Sequence, residues 1–293
     1  MHGWVYINKP LGMTSNQVVG KLRHVLGRKQ KVGHGGTLDP LATGVLPIAI
    51  GEGTKVVQFI MDQTKAYCFK IGWGEERTTD DLEGEVTKSG GIVPIIADIQ
   101  ESLAQFTGEI EQIPPAYSAL KVDGKRAYSM ARAGEEVVLK PRKVTIESLE
   151  YDENTDTFHV VCSKGTYVRS LARDIARSLG TYGHVTLLQR TRVGKISLDD
   201  TISLEKVAEL GHNIASGGYL YPIGNVLDDI LAFPVNDEIG CRILKGQRVP
   251  CDIQQDDQEL VLLHTIADDI PLALCELKGG VLHPKRVFNI KSY

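Results

Sequence analysis

The chain has 293 residues, 42% apolar and 24% charged, an ordinary globular balance that suits one large domain and a small one. No apolar run approaches the roughly 20 residues a membrane helix needs. The opening MHGWVYINKP has no charged-then-apolar leader, so the expectation is a cytoplasmic protein with no membrane contact.

The formal charge of −4 argues against a uniformly basic nucleic-acid binder, but its distribution is uneven. Residues 1–38 hold six Lys or Arg and no acid, which makes Asp39 the first carboxylate. Residues 164–195 hold seven basic residues and one acid, Asp174, whereas 252–270 holds six acids and no Lys or Arg. Such segments suit a cationic groove with the acids placed elsewhere, and equally a solvated surface. Five widely spaced cysteines with no CxxC read as reduced thiols, and eight histidines without HExxH predict no metal site.

In chain order, Val5–Asn8 reads as a strand running into a Pro-Leu-Gly turn. Ser15 or Asn16 is placed to cap a helix with apolar positions Val18, Leu22, Val25 and Leu26. Gly33 to Gly44 is a glycine-rich loop, Val45–Ile50 a strand and Thr54–Met61 a helix. Tyr67, Phe69, Ile71 and Trp73 alternate as a half-buried strand does. Arg77–Gly84 is polar and loop-like, Ile95–Phe106 an amphipathic helix, and Arg126–Ala133 a short helix closed by Gly134. Val144–Tyr151 and Phe158–Ser163 pattern as strands. Val168, Leu171, Ile175 and Leu179 mark a second strong helix, ended by Gly180. Mixed elements without regular alternation predict an α+β fold. GHNIASGG, residues 211–218, reads as a linker, and the short strands beyond Phe233 as a small all-β unit of the barrel kind.

The stretch most informative for chemistry is GHGGTLDPLATG, residues 33–44, in which three glycines precede Asp39 and Pro40 fixes the turn after it. On spacing alone, an Asp before Pro is a turn residue. This stretch resembles the catalytic loop of the TruB-type tRNA pseudouridine-55 synthases, whose pattern is close to GHxGTLDPxATGVL. NKPLGMTSNQVV resembles the same family's N-terminal motif. So do KAYCFKIGWG with TTDDLEGEV, IPPAYSALKVDGKRAYSMARAGE, and CSKGTYVRSLARDIARSLG. These five motifs, in the family's order, span about residues 4–195. The C-terminal GGVLHPKRVFNI resembles, more loosely, the family's PUA-like domain.

The resemblance implies a pseudouridine-synthase fold: a mixed, largely antiparallel central sheet with flanking helices, roughly 1–210. A small PUA-like RNA-binding domain, roughly 230–293, would follow. It implies isomerisation of the uridine at position 55 in the tRNA T arm, with no cofactor and no metal, by a monomer without an obligatory protein partner. Asp39 would be the essential carboxylate. It would act as nucleophile at C1′, as base at C2′, or, in an older proposal, by addition to C6 of the base. Arg169 would pair with Asp39, and Tyr67 would stack on the base and accept a proton. Tyr167, Lys164 and Leu188 would support the site. His34 and Lys9 would serve RNA binding and base eversion, and Arg173 and Arg177 phosphate contacts. Without the resemblance, Arg169, Arg173 and Arg177 at i, i+4, i+8 read as one exposed basic stripe. Asp80 and Asp81 lack a third ligand for a metal, and Asp81 fits a structural hydrogen bond or a ribose contact.

Gly35 stands where many relatives carry Thr or another side chain, which implies altered loop stiffness. Because every catalytic candidate precedes residue 195, a chain ending near Gly217 is expected to retain the chemistry. Two rival readings remain: a tRNA-binding or folding chaperone, and a carboxylate hydrolase, which needs a second positioned acid or base.

Overall fold

The computed structural model describes residues 1–122, 124–251 and 255–290. Asp123, inside one matched motif, part of the acidic 252–270 run, and the last three residues lie outside the described residues.

The first half of the chain forms β1 (Gly3–Lys9), α1 (Ser15–Val25), β2 (Val32–His34), β3 (Ala42–Ile50), α2 (Val57–Asp62) and β4 (Lys65–Trp73). A hairpin of β5 (Glu75–Arg77) and β6 (Val86–Ser89) precedes α3 (Ile96–Ser102) and β7 (Gly108–Gln112). The short pair β8 (Lys121–Val122) and β9 (Lys125–Arg126) leads into α4 (Ala127–Arg132). Then come β10 (Arg142–Asp152), β11 (Thr157–Cys162), α5 (Val168–Ser178), β12 (Gly183–Val193), β13 (Ile196–Ser197) and α6 (Leu204–Leu210). The last part holds β14 (Ala232–Val235), α7 (Asp237–Leu244), β15 (Val249–Pro250), β16 (Gln258–Thr265), β17 (Pro271–Lys278) and β18 (Val281–Val287).

Among the described residues the main sheet runs β1-β3-β12-β4-β11-β10-β7, with β2 on β3 and β13 on β12. It is antiparallel except where β12 lies parallel to β3. The α+β expectation, with a mixed and largely antiparallel sheet, therefore holds.

β1 is buried on both faces because its residues divide between two cores by the period of two. Val5 and Ile7 pack with α1 and α6, while Trp4 and Tyr6 pack toward the C-terminal unit. Its outer edge is closed by the returning chain. Trp4 and Tyr221 exchange backbone hydrogen bonds of 2.9 Å, and Ile202 N–H donates to Tyr6 carbonyl at 2.8 Å. A third core joins α5 and α3 to β4, β10, β11 and β12, including Phe69, Phe158, Leu171 and Ile175.

Three local expectations are corrected. The cap of α1 is Thr14, one residue early, in a reciprocal box with Gln17: Gln17 N–H donates to Thr14 Oγ1 and Thr14 N–H to Gln17 Oε1. Residues 211–218 are not a free linker. Gly211–Ile214 is a 3-10 turn, and Ile214 is wholly buried against the α1–β1 core. The C-terminal unit is β-rich, a five-stranded sheet in the order β14-β16-β17-β18-β15, but it also contains α7. That helix is capped by Asn236 and begins with Asp237 and Glu238, acids that suit a helix N-terminus. The unit shares a core with the main sheet, where Leu262, Leu274 and Phe288 join Trp4, Tyr6, Val45 and Ala49.

Among the described residues no helix is long and apolar enough to cross a membrane.

Candidate active site

Residues 35–41, between β2 and β3, carry Asp39 and are braced by directed bonds from three sides. Ser15 at the start of α1 accepts from Leu38 N–H at 2.8 Å and donates to Leu38 carbonyl at 3.1 Å. Gly12 N–H donates to Pro40 carbonyl at 2.9 Å. Lys9, wholly buried at the end of β1, donates from Nζ to the carbonyls of Met13 at 2.5 Å, Pro10 at 3.0 Å and Pro40 at 3.2 Å. The expected RNA contact by Lys9 is thus corrected: its ammonium is used up inside the protein, tying the Pro-Leu-Gly turn to the Asp39 loop. Burial lowers its pKa to about 8, with Asp39 opposing the shift.

The Asp39 side chain is 37% exposed, and its Oδ2 lies 3.0 Å from Nε of Arg169, which is only 6% exposed. Arg169 sits in the first turn of α5 and is itself immobilised. Nη1 donates to Thr79 carbonyl at 2.6 Å and Nη2 to Tyr117 carbonyl at 3.0 Å. Asp81 Oδ2 lies 3.6 Å from the same Nε. An ion pair whose cation is fixed by backbone carbonyls aims the carboxylate.

The exposed basic stripe that spacing alone suggested on α5, and that the resemblance set aside for Arg169, is absent. Arg173 is buried, its Nη1 2.8 Å from Asp80 Oδ2 and its Nε 2.9 Å from Asp174 Oδ1. Arg177, nearly half exposed, pairs with Glu76 at 2.7 Å. The three arginines dock α5 onto segment 76–81, each against a different acid. Arg173 is therefore corrected from a phosphate contact to an internal link, because its guanidinium is committed to Asp80, Asp174 and the Ile113 carbonyl. Burial pushes Asp80 up to about 6 although Arg173 opposes it. Asp81 makes the structural bonds foreseen for it, accepting from Thr79 hydroxyl and from Glu83 N–H.

A cleft of about 1310 Å³ opens over Asp39. Tyr67, Leu188, Tyr167, Lys164 and His34 line it together with Arg169. Tyr67 and Leu188 come from neighbouring strands, since β4 and β12 pair with Leu188 opposite Phe69 and Arg190 opposite Tyr67. Burial raises the Tyr67 phenol pKa while the Arg190 charge opposes it. Tyr167 caps α5 and is fixed by Gln112, which accepts from its N–H at 2.8 Å and donates to its carbonyl at 3.1 Å. Burial raises its phenol pKa too. Lys164 lies at the rim, exposed, with Nζ 2.9 Å from Asp62. His34 ends β2, and its buried Nδ1 has no hydrogen-bond partner among the described residues. Burial, then the nearby Arg190, lowers its pKa, so the imidazole is neutral at neutral pH.

Gly35 is a packing position rather than a hinge. A Cβ there would stand 2.5 Å from Ile60 Cγ2. Arg190 is the site residue that sequence reasoning missed. It lines the cleft floor at 2% exposure, and the only sequence signal was its membership of the basic run 164–195. Among the described residues no group of His, Cys, Asp or Glu is arranged to hold a metal ion.

These features agree with what the comparisons return. A model of the TruB family pseudouridylate synthase N-terminal domain matches residues 23–168. One of the tRNA pseudouridylate synthase B C-terminal domain matches 169–231. The tRNA pseudouridine synthase B of Bradyrhizobium diazoefficiens is 46% identical over 299 residues, 99% of this chain and 86% of that protein. That of Caulobacter vibrioides is 44% identical over 98% of this chain and 96% of that protein. Among solved structures, a chain of a Cbf5-Nop10-Gar1 complex matches with a TM-score of 0.71 at 26% identity, covering 98% of this chain and 84% of that one. The sheet order, the braced loop around Asp39 and the full-length likeness converge: the chain belongs to the TruB family of pseudouridylate synthases.

Proposed function

We propose that the protein isomerises a uridine of tRNA to pseudouridine, at position 55 in the T arm, with Asp39 as the catalytic carboxylate. The observation that carries this reading is the Asp39–Arg169 pair, a carboxylate open to a large cleft and held at 3.0 Å by an otherwise buried guanidinium. The reaction breaks C1′–N1, with N1 leaving on its electron pair. The base turns, C5 bonds to C1′, the C5 proton is removed, and N1 gains a proton. Asp39 serves either as nucleophile at C1′ or as base at C2′, and both roles need one ionised, positioned carboxylate. Tyr67 stacks on the turned base, and its hydroxyl takes part in proton transfer at C5. Such a base must leave its stack to be reached, and His34, which lines the cleft, serves that eversion.

The hydrolase alternative needs a second available acid or base. Asp81, which lines the cleft with Glu83 and Glu85, is buried, and its oxygens are occupied by the Thr79 hydroxyl, Glu83 N–H and Arg169. The cleft also exceeds the ~300–1,000 Å³ of small-molecule pockets, which favours a macromolecular substrate.

The test is pseudouridine mapping on an unmodified tRNA transcript, with native protein and with Asp39→Asn. Native protein should modify position 55. Asp39→Asn should lose at least ~10²–10⁴-fold in rate, the share of proton transfer alone. Its tRNA affinity should stay within about threefold, because phosphate contacts dominate binding. Substantial yield from Asp39→Asn overturns the catalytic assignment, and modification elsewhere than position 55 overturns the site.

A further inference from the structure

Arg190 differs from every other buried arginine near the cleft. Arg169 and Arg173 each meet a carboxylate at 3.0 Å or less. Among the described residues Arg190 has no carboxylate within ion-pair distance, and its donors go to main-chain carbonyls and to the Tyr67 side chain. Nε donates to Val45 at 2.7 Å, Nη2 to Gly36 at 3.1 Å and Nη1 to Thr37 at 3.4 Å. A guanidinium at 2% exposure without a counter-ion is costly to bury. An apolar side chain would fill the same strand position without that cost, so packing alone does not account for it.

Its place in the sheet shows what it does. On β12 it stands opposite Tyr67 of β4 on one side and Gly44 of β3 on the other. Its three carbonyl partners lie on both sides of Asp39, two before it and one after. The approach depends on glycine. Gly44 has φ +99°, and a Cβ there would stand 2.2 Å from the Arg190 carbonyl oxygen. Gly36 has φ +129°, and a Cβ there would stand 3.5 Å from Nη1. A planar fork with five donors spans carbonyls in several directions, which a lysine ammonium on a flexible stem does not.

We infer that Arg190 is a positioning residue for the isomerisation: its guanidinium clamps the loop on both sides of Asp39 and holds that loop in register with Tyr67. This rests on the reading of Asp39 as the catalytic carboxylate. Arg190 acts through those two residues, Asp39 and Tyr67, its guanidinium committed to the loop carbonyls and to the Tyr67 side chain.

The test uses the full chain with Arg190→Lys, which keeps the charge and loses the fork, and Arg190→Met, which loses both. Single-turnover pseudouridine formation with enzyme in excess gives a rate constant and an amplitude separately. Filter binding gives tRNA affinity, and thermal unfolding gives the folded fraction. Arg190→Lys should fold and reach full amplitude, with a rate constant about 10²-fold lower, the scale of a 1 Å misplacement of a reacting group. Its tRNA affinity should remain within about threefold of native. Arg190→Met should be slower still, and if it does not fold, Arg190→Lys decides. A rate constant within about twofold of native for Arg190→Lys overturns the inference. So does a loss that appears only as reduced amplitude in step with the folded fraction, or an Arg190→Lys protein that does not fold, since each assigns the residue to folding alone. Asp39→Asn in the same series separates the two claims. If it is inactive while Arg190→Lys runs at the native rate, only the present inference fails. If it is active, the reading of Asp39 fails and this one with it.

Discussion

The cleft and the joint with the C-terminal unit are built on opposite faces of the same two strands. On one face of β1 and β3, Val5, Ile7, Leu46 and Ile48 pack with α1, with Leu38 of the Asp39 loop and with Tyr67. On the other, Trp4, Tyr6, Val45 and Ala49 pack with Leu262, Leu274 and Phe288. The loop is fixed by bonds that have direction, from Ser15, Lys9, Arg169 and Arg190. The joint is fixed mainly by apolar area, which has none, with a few polar ties such as Lys55 Nζ to Val287 carbonyl and Asn289 N–H to Glu52. Change in the joint should therefore appear as stability, and change at the loop as rate.

The largest effect should come from cutting the joint away. A chain ending at Gly217 loses the Tyr221 edge pairing with Trp4, and with it Ile223, Val226, Leu227, Leu262, Leu274 and Phe288 from the shared core. At roughly 1.5–3 kcal/mol for each fully buried side chain, that approaches the whole stability of ~5–15 kcal/mol of an ordinary domain. Such a chain should not fold, contrary to the expectation from sequence that it retains the chemistry. A chain ending at Leu231 keeps Tyr221 to Leu227 and should fold with stability lowered by several kcal/mol, on the order of three buried side chains. Urea unfolding measures both. At saturating T-arm RNA the longer fragment should modify at close to the native rate. A stable Gly217 fragment, or a folded Leu231 fragment with a much reduced rate constant, would break the contrast.

Gly35 is where the two regions touch, because the atoms a Cβ would meet belong to the joint: Ile60 Cγ2 at 2.5 Å, Pro47 Cβ at 3.4 Å and Trp4 at 3.5 Å. Gly35→Ala should cost about 1–3 kcal/mol by overpacking. Ile60→Ala removes the atom it strikes, so the two changes together should cost less than their sum, by ~0.5–3 kcal/mol of coupling. Additive costs in a double-mutant cycle would mean that the loop moves aside without resistance, and that Gly35 serves flexibility after all.

What was legible in the sequence is what one segment carries by itself. The Asp39 loop, the alternation through Tyr67 and the α5 periodicity are local patterns, and each lies where expected. The burial of Arg173 was not legible, because i, i+4, i+8 spacing is the same for an exposed stripe and for a ladder against acids 90 residues away. Asp80 was in view but not connected to α5, and Glu76 carried no signal that singled it out. Lys9 and Arg190 escaped for the same reason. Their partners are main-chain carbonyls, which leave no mark in a sequence. GHNIASGG has a linker's composition, yet Ile214 fills a core position that only the tertiary structure creates. The helix α7 was readable and was missed: Asn236 followed by two acids, Ile239 and Ile243 at helical spacing, and Gly246 at φ +74° after its end.

The smallest expected effect is also the sharpest test of the contrast, because each face holds one histidine with a depressed pKa. In the cleft it is His34, lowered by burial and then by Arg190. At the joint it is His2, whose Nδ1 accepts from Glu52 N–H, lowered by burial and then by the N-terminal charge. Both folded-state values lie below the ordinary 6.5, so the native protein binds fewer protons than the unfolded chain as pH falls. The stability each neutral imidazole confers is complete above about pH 6.5 and is lost as pH drops below it. Replacing either with Gln, which does not titrate, should flatten the fall in melting temperature between pH 7.5 and 5.5, by about 2 °C or less. The two variants should part company in rate. His2→Gln has no path to Asp39 and should modify tRNA at the native rate at either pH. His34→Gln removes an imidazole that lines the cleft, and it should slow single-turnover modification at both pH values alike. Equal rates for the two variants would remove His34 from the eversion of the base and leave it a packing residue. A rate loss for His2→Gln would show that strain at the joint does reach the loop, and that the two faces of β1 and β3 are not independent.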